Sequence, residues 1–269
     1  MADRIIVINP NSTAAVTADI ATALDGLRAD SNAEFECLTL TEGPPGIETQ
    51  RHVDSVVVPL CRMIESCDNR ASAFVLACFS DPGLHMARET TQKPVLGIAE
   101  SGLLTALTLG DRIGVIAILA GSIPRHSRFI RAMGIEDRIA GELSVELGVT
   151  ELADEIVTCA RMTDVGKRLT EEKGADVLVM GCAGMARYRA RLEDALGLPV
   201  IDPTQAAAGM AINEPEVQSQ LRVGPDHRDA LSQQLILQRR LADANQLTGI
   251  KPIRHSDHDG REDSWNGSP

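Results

Sequence analysis

The chain has 269 residues, 43% hydrophobic but only 2% aromatic, and a formal net charge of −12. That length holds one large α/β domain or two of about 100–150 residues, with cores built from Ala, Val, Ile and Leu. The acidic balance argues against a nucleic-acid partner, whose phosphates reward basic faces.

The N-terminal stretch MADRIIVINPNST places an acid beside its arginine and four apolar residues in a row. It reads as a strand rather than a signal peptide or a membrane span, so a cytoplasmic protein without a membrane partner is expected. RIIVIN (4–9) leads into a predicted helix from about Thr13 to Leu24, stopped by Gly26. FECLTL (35–40) follows, then the Gly/Pro loop EGPPGIE (42–48) and a long predicted helix from about Val53 to Cys67. AFVLACF (73–79), a short helix and PVLGIA (94–99) complete the first half. Strands alternating with helices at this spacing imply parallel sheets with right-handed crossovers.

The second half repeats the order. DRIGVIAI (111–118) resembles DRIIVINP (3–10), ADVLVMGC (175–182) resembles ASAFVLAC (71–78), and LPVIDPTQ (198–205) resembles KPVLGIAE (93–100). The displacements are 108, 104 and 105 positions, and their near-constancy points to an internal duplication. The expected fold is therefore α/β: two pseudosymmetric Rossmann-like lobes with parallel sheets. Residues 1–97 and 205–250 would form the N-terminal lobe with its closing helices, and 98–204 the C-terminal lobe. Residues 251–269, polar and containing Trp265, read as a disordered tail.

Six cysteines are present, Cys37, Cys61, Cys67, Cys78, Cys159 and Cys182, with no C-x-x-C pair and no H-x₃₋₅-H partner. Neither a metal site nor a disulfide framework is expected. Cys78 and Cys182 stand apart because they end equivalent strands, where open α/β sheets bind ligands. In SDPGLH (80–85), Asp81 suits a helix N-cap with Pro82 at the first helical position. Ala183 and Gly184 after Cys182 let the backbone come close. Both thiols are thus expected to be biased toward thiolate by helix N-termini, beside N–H groups that could stabilise an enolate. Two opposed thiols can remove a proton from a carbon next to a carbonyl and return one on the other face. That is cofactor-independent racemisation or epimerisation.

From about Arg4 to Leu247 the chain resembles the aspartate/glutamate/hydantoin racemase superfamily, most closely its hydantoin and allantoin racemase branch. The carriers are INPNST (8–13), GPPGIE (43–48), LACFSDPGL (76–84) and GCAGMA (181–186). The resemblance implies one catalytic cysteine per lobe, matching Cys78 and Cys182, a substrate contact from Asn11, and homo-oligomers. It also implies that backbone N–H groups around Phe79, Ser80, Ala183 and Gly184 hold the substrate's carbonyl oxygens. The residues after each cysteine match the cyclic-amide branch, which implies a neutral five-membered ureide as the small-molecule substrate. Ser80 stands where hydantoin racemases usually carry glycine, and the loop 119–129 brings Pro124, Arg125 and His126. Both departures would line the pocket.

Of the remaining polar residues, Ser12 reads as the cap of the first helix, and Asn9 as a turn former or a substrate contact. His85 reads as surface, and Arg187, Arg189 and Arg191 as a solvated face. GDRIG (110–114) lacks a phosphate fingerprint, so no nucleotide cofactor is expected. Two alternatives share this pattern: a maleate-type cis–trans isomerase using one cysteine as nucleophile, and a non-catalytic two-lobed binding protein.

Overall fold

The structure, a computed structural model, describes residues 3–221, with side chains through Ile212. The first half runs β1 (Arg4–Asn9), α1 (Ala14–Ala23), α2 (Asp25–Asp30), β2 (Glu34–Thr39), α3 (Gln50–Ser55) and α4 (Val57–Cys67). It continues through β3 (Ala73–Leu76), α5 (Leu84–Thr90), β4 (Val95–Gly97) and α6 (Ile98–Ala106). The second half comprises β5 (Ile113–Ala117), α7 (Ile123–Ala132), β6 (Ile139–Ser144) and α8 (Glu155–Glu171). Its last elements are β7 (Val177–Met180), α9 (Arg189–Leu196), β8 (Val200–Ile201) and α10 (Pro203–Leu221).

Two four-stranded sheets result, ordered β2-β1-β3-β4 and β6-β5-β7-β8, with every pairing parallel. The identical order is the structural form of the repeat seen in the sequence. The inner strands are apolar at successive positions because both of their faces are covered. In β1, Ile5 and Val7 join one buried cluster and Ile6 and Ile8 another. β3 divides likewise, with Ala73 and Val75 against Phe74 and Leu76.

The helices that follow the fourth strands pack on the sheet of the other half. Ala99, Leu103 and Ala106 of α6 join Val115, Val177 and Val179 of the second sheet. Ala207, Ala208 and Ala211 of α10 share a cluster with Ile5, Val7 and Val75 of the first. A return of the chain to the first lobe was expected from residue 205. Residues beyond 221, which hold most of the expected closing helices and the tail, lie outside the described residues.

Local details depart from the sequence reading. The expected helix 53–67 is two helices broken at Val56, because Pro59 has no N–H to give the Ser55 carbonyl and is tolerated only in a first turn. The first helix ends at Ala23 with Leu24 as its C-cap, as expected, but Gly26 is not what stops it, since it lies within α2. The segment 119–129 is not a loop: a 3₁₀ turn at Ala120–Ser122 runs directly into α7, with Pro124 in its first turn.

Candidate active site

Each cysteine lies two residues beyond the end of an inner strand, Cys78 after β3 and Cys182 after β7. The residue between strand and thiol makes the same bond in both halves. Ala77 N–H donates to the Ile8 carbonyl at 2.8 Å, and Gly181 N–H donates to the Ile116 carbonyl at 2.8 Å. A Cβ on Gly181 would lie 2.7 Å from that carbonyl oxygen, so the close approach requires glycine there.

Both thiols line one cavity of about 440 Å³, counting its open mouth, and both remain partly accessible. Asn11, Phe79, Ser80, Ala183 and Gly184, all expected at the site, line the same cavity. Of the 124–126 segment, Arg125 and His126 line it too. Sequence reasoning missed Ile47, Ile118, Ser122 and Val149, although Ile47 falls inside the singled-out GPPGIE motif.

Asn11 is buried and held by its neighbours. Its Oδ1 accepts from the Thr13 N–H at 2.9 Å and from Asn9 Nδ2 at 3.1 Å. Because a backbone N–H can only donate, these bonds fix the amide orientation and leave Nδ2 as the donor toward the cavity. Asn9, fully buried, also donates to Thr17 Oγ1 at 3.0 Å, which makes it a support for Asn11. The residue at the N-cap of α1 is Thr13, not Ser12, and it makes no side-chain cap bond. The Gly/Pro loop packs against this turn: Ser12 N–H donates to the Pro44 carbonyl at 2.9 Å and Thr13 Oγ1 to the Pro45 carbonyl at 2.8 Å.

The thiols are not biased toward thiolate as expected. Burial pushes Cys78 up to about 12, against the Ser80 N–H aimed at its sulfur and the more distant charge of Arg125. Burial pushes Cys182 up to about 11, against the Gly184 N–H, while Glu48 and Asp202 raise it further. The expected helix dipole is absent at Cys78. α5 begins only at Leu84, after Gly83 at φ 66°, and Asp81 does not cap it. Asp81 instead sits at φ 40° and turns its carboxylate to α6, accepting from Ala99 N–H at 3.0 Å and Glu100 N–H at 2.9 Å. A 3₁₀ helix, Ala183–Tyr188, does start directly after Cys182.

His126 is buried. Its Nδ1 lies 2.5 Å from Glu142 Oε1, and its ring meets Phe79 edge-on at 5.1 Å. His85 is exposed, and Arg187, Arg189 and Arg191 form ion pairs with Asp19, Glu193 and Glu155. Among the described residues no helix is long and apolar enough to cross a membrane, and no group of three or more His, Cys, Asp or Glu could hold a metal ion.

Two sheets of the same order bring two thiols to one cavity, and residues 5–211 match the Asp/Glu/Hydantoin racemase family model. The chain belongs to that family and is an isomerase of the racemase class. Within it the relatives fall on the hydantoin and allantoin racemase branch. The chain is 33% identical over 211 residues to a hydantoin racemase of Paenarthrobacter aurescens, covering 77% of this chain and 89% of the relative. It is 34% identical over 210 residues to a hydantoin racemase of Pseudomonas sp. (strain NS671), covering 77% and 84%. The fold superimposes on an allantoin racemase from Klebsiella pneumoniae with a TM-score of 0.75 at 29% identity, covering 82% of this chain and 89% of that one.

Proposed function

We propose that this chain racemises a 5-substituted cyclic ureide, a hydantoin or allantoin, without a cofactor, by proton exchange between Cys78 and Cys182. The observation that carries this reading is the pair of equivalent thiols lining one cavity. In each turnover one cysteine, as thiolate, takes the proton from the ring carbon while the other, as thiol, delivers one to the opposite face. The roles are reversed at the end of each turnover. The Ser80 and Gly184 N–H groups hold the sulfurs, and each donates to its thiolate and so favours ionisation. The Asn11 Nδ2 and the backbone N–H groups of Phe79 and Ala183 receive the ring carbonyls, where negative charge develops.

Burial has a double consequence. For a thiol near 11, roughly one molecule in ten thousand is ionised at pH 7. The thiolate that does form is a stronger base than free cysteine, better matched to a weak carbon acid.

The test is polarimetry of enantiopure hydantoins and allantoin with the purified protein after dialysis against chelator, combined with deuterium uptake at the ring carbon in D₂O. Loss of rotation with uptake of one deuteron per inversion is expected. Turnover of maleate with a covalent adduct on one cysteine, or binding without exchange, would replace this reading.

A further inference from the structure

The cavity wall carries a single Lys or Arg among the described residues, Arg125 in the first turn of α7. The other walls are largely apolar, formed in part by Val16, Ile47, Ile118 and Val149. The Arg125 Nε is buried with no hydrogen-bond acceptor, and Nη1 reaches only the Gly121 carbonyl of its own turn at 3.2 Å. A buried guanidinium donor left without a partner costs free energy that an acceptor would recover. Glu142, the carboxylate whose charge acts on Arg125, is taken by His126.

The helix that carries Arg125 also has a fixed place. α7 is tied across the cleft by Arg128 Nη2 donating to Gln50 Oε1 at 2.9 Å, and His126 braces it against Phe79. Arg125 lies on the Cys78 side, since it and the Cys78 sulfur influence each other's ionisation. A planar, permanently charged fork held in an apolar wall is the arrangement that recognises carboxylates. A neutral ring alone gives it nothing of opposite charge to hold.

We propose that Arg125 is a specificity-determining residue that selects ureide rings whose 5-substituent ends in a carboxylate, such as an acetate or propionate arm. This inference rests on the racemase reading and names the substrate class for the same site. The arm leaves the ring carbon between the thiols and meets the guanidinium on the Cys78 side.

The experiment compares kcat/KM for hydantoin-5-acetic and hydantoin-5-propionic acids with their carboxamides, which match them in shape and lack the charge. The wild type is expected to prefer the acid by at least tenfold. Arg125→Met and Arg125→Gln are expected to reduce that ratio to near one, and Arg125→Lys to keep part of it, chiefly through KM. Because the ratio is internal to each variant, partial loss of folded protein does not move it. Equal rates for acid and amide in the wild type would overturn the proposal. So would a loss in Arg125→Met that is the same for both, which would place the guanidinium's action on the thiol. A wild type inert toward every hydantoin and toward allantoin would instead remove the racemase reading, and this inference with it.

Discussion

The two halves around the cavity meet one requirement by different routes. In both, the helix after the fourth strand has its first N–H groups satisfied by a buried carboxylate. In the second half the carboxylate belongs to the residue at the helix start: Asp202 Oδ1 accepts from Thr204 N–H at 2.8 Å, and Pro203 opens α10. The position that the internal repeat aligns with Asp202 is Gly97. There the carboxylate arrives from Asp81, in the loop that follows Cys78, and a Cβ on Gly97 would lie 2.3 Å from it. The halves share the place where the carboxylate sits rather than the residue that carries it.

The route has electrical consequences. Burial raises Asp81 to about 7 and Asp202 to about 6, and each also pushes its neighbouring thiol upward. Cys78 has the Arg125 charge to set against this, whereas Cys182 faces Glu48 as well as Asp202. The two half-sites are therefore similar in geometry and unequal in charge.

The comparison can be broken most strongly at the thiols. Cys78→Ala and Cys182→Ala should each lower racemisation by at least about a hundredfold, the usual contribution of a positioned proton-transfer group. Turnover surviving in either single variant, followed by polarimetry, would show that the two halves are not partners. Next in size is the pH dependence. With thiols at about 11 and about 12, kcat/KM should climb roughly tenfold per unit from pH 7 to pH 9, because the thiolate fraction rises with pH below both values. A flat profile would mean that one of the two thiols is already ionised at pH 7.

The carboxylate exchange sharpens the comparison by stability. Gly97→Asp should destabilise by about 1–3 kcal/mol, since the new side chain meets the Asp81 carboxylate. Adding Asp81→Gly should restore part of that loss, with a coupling above about 0.5 kcal/mol in denaturant unfolding. Additive effects would mean that the two positions do not substitute for one another.

A further test is a titration of stability. The folded value of Asp81, about 7, lies above its ordinary 3.8. Its contribution is thus complete below about pH 4 and is lost as pH rises through 7. Asp81→Asn should flatten that part of the unfolding midpoint's pH dependence, leaving the narrower window of Asp202, which closes near pH 6.

Much was legible in the sequence because the inner strands are covered on both faces. IIVI, AFVL, IGVIA and VLVM could be nothing but buried strands once they alternated with helices, and their repeated spacing announced two halves with the same order. The cysteine positions followed from that repeat. Residues placed by distant backbone were harder to read. Ile118 and Val149 are ordinary apolar residues in the sequence and line the cavity only through the tertiary fold, with the Val149 N–H bonded to Glu48 Oε1 at 3.0 Å. The burial of His126 depends on Glu142, sixteen positions away on β6.

The Asp-Pro pair marks the division between the two kinds of information. It occurs at 81–82 and at 202–203, and local rules make each aspartate the cap of the helix that follows. Residue order alone determined the strands, the repeat and the two thiols, since these depend on periodicity and covalent neighbours. Tertiary packing decided that Asp202 caps its own helix while Asp81 caps one beginning seventeen residues later, and that both thiols are held neutral. The physical reason is that hydrogen bonding and desolvation depend on what is close in space.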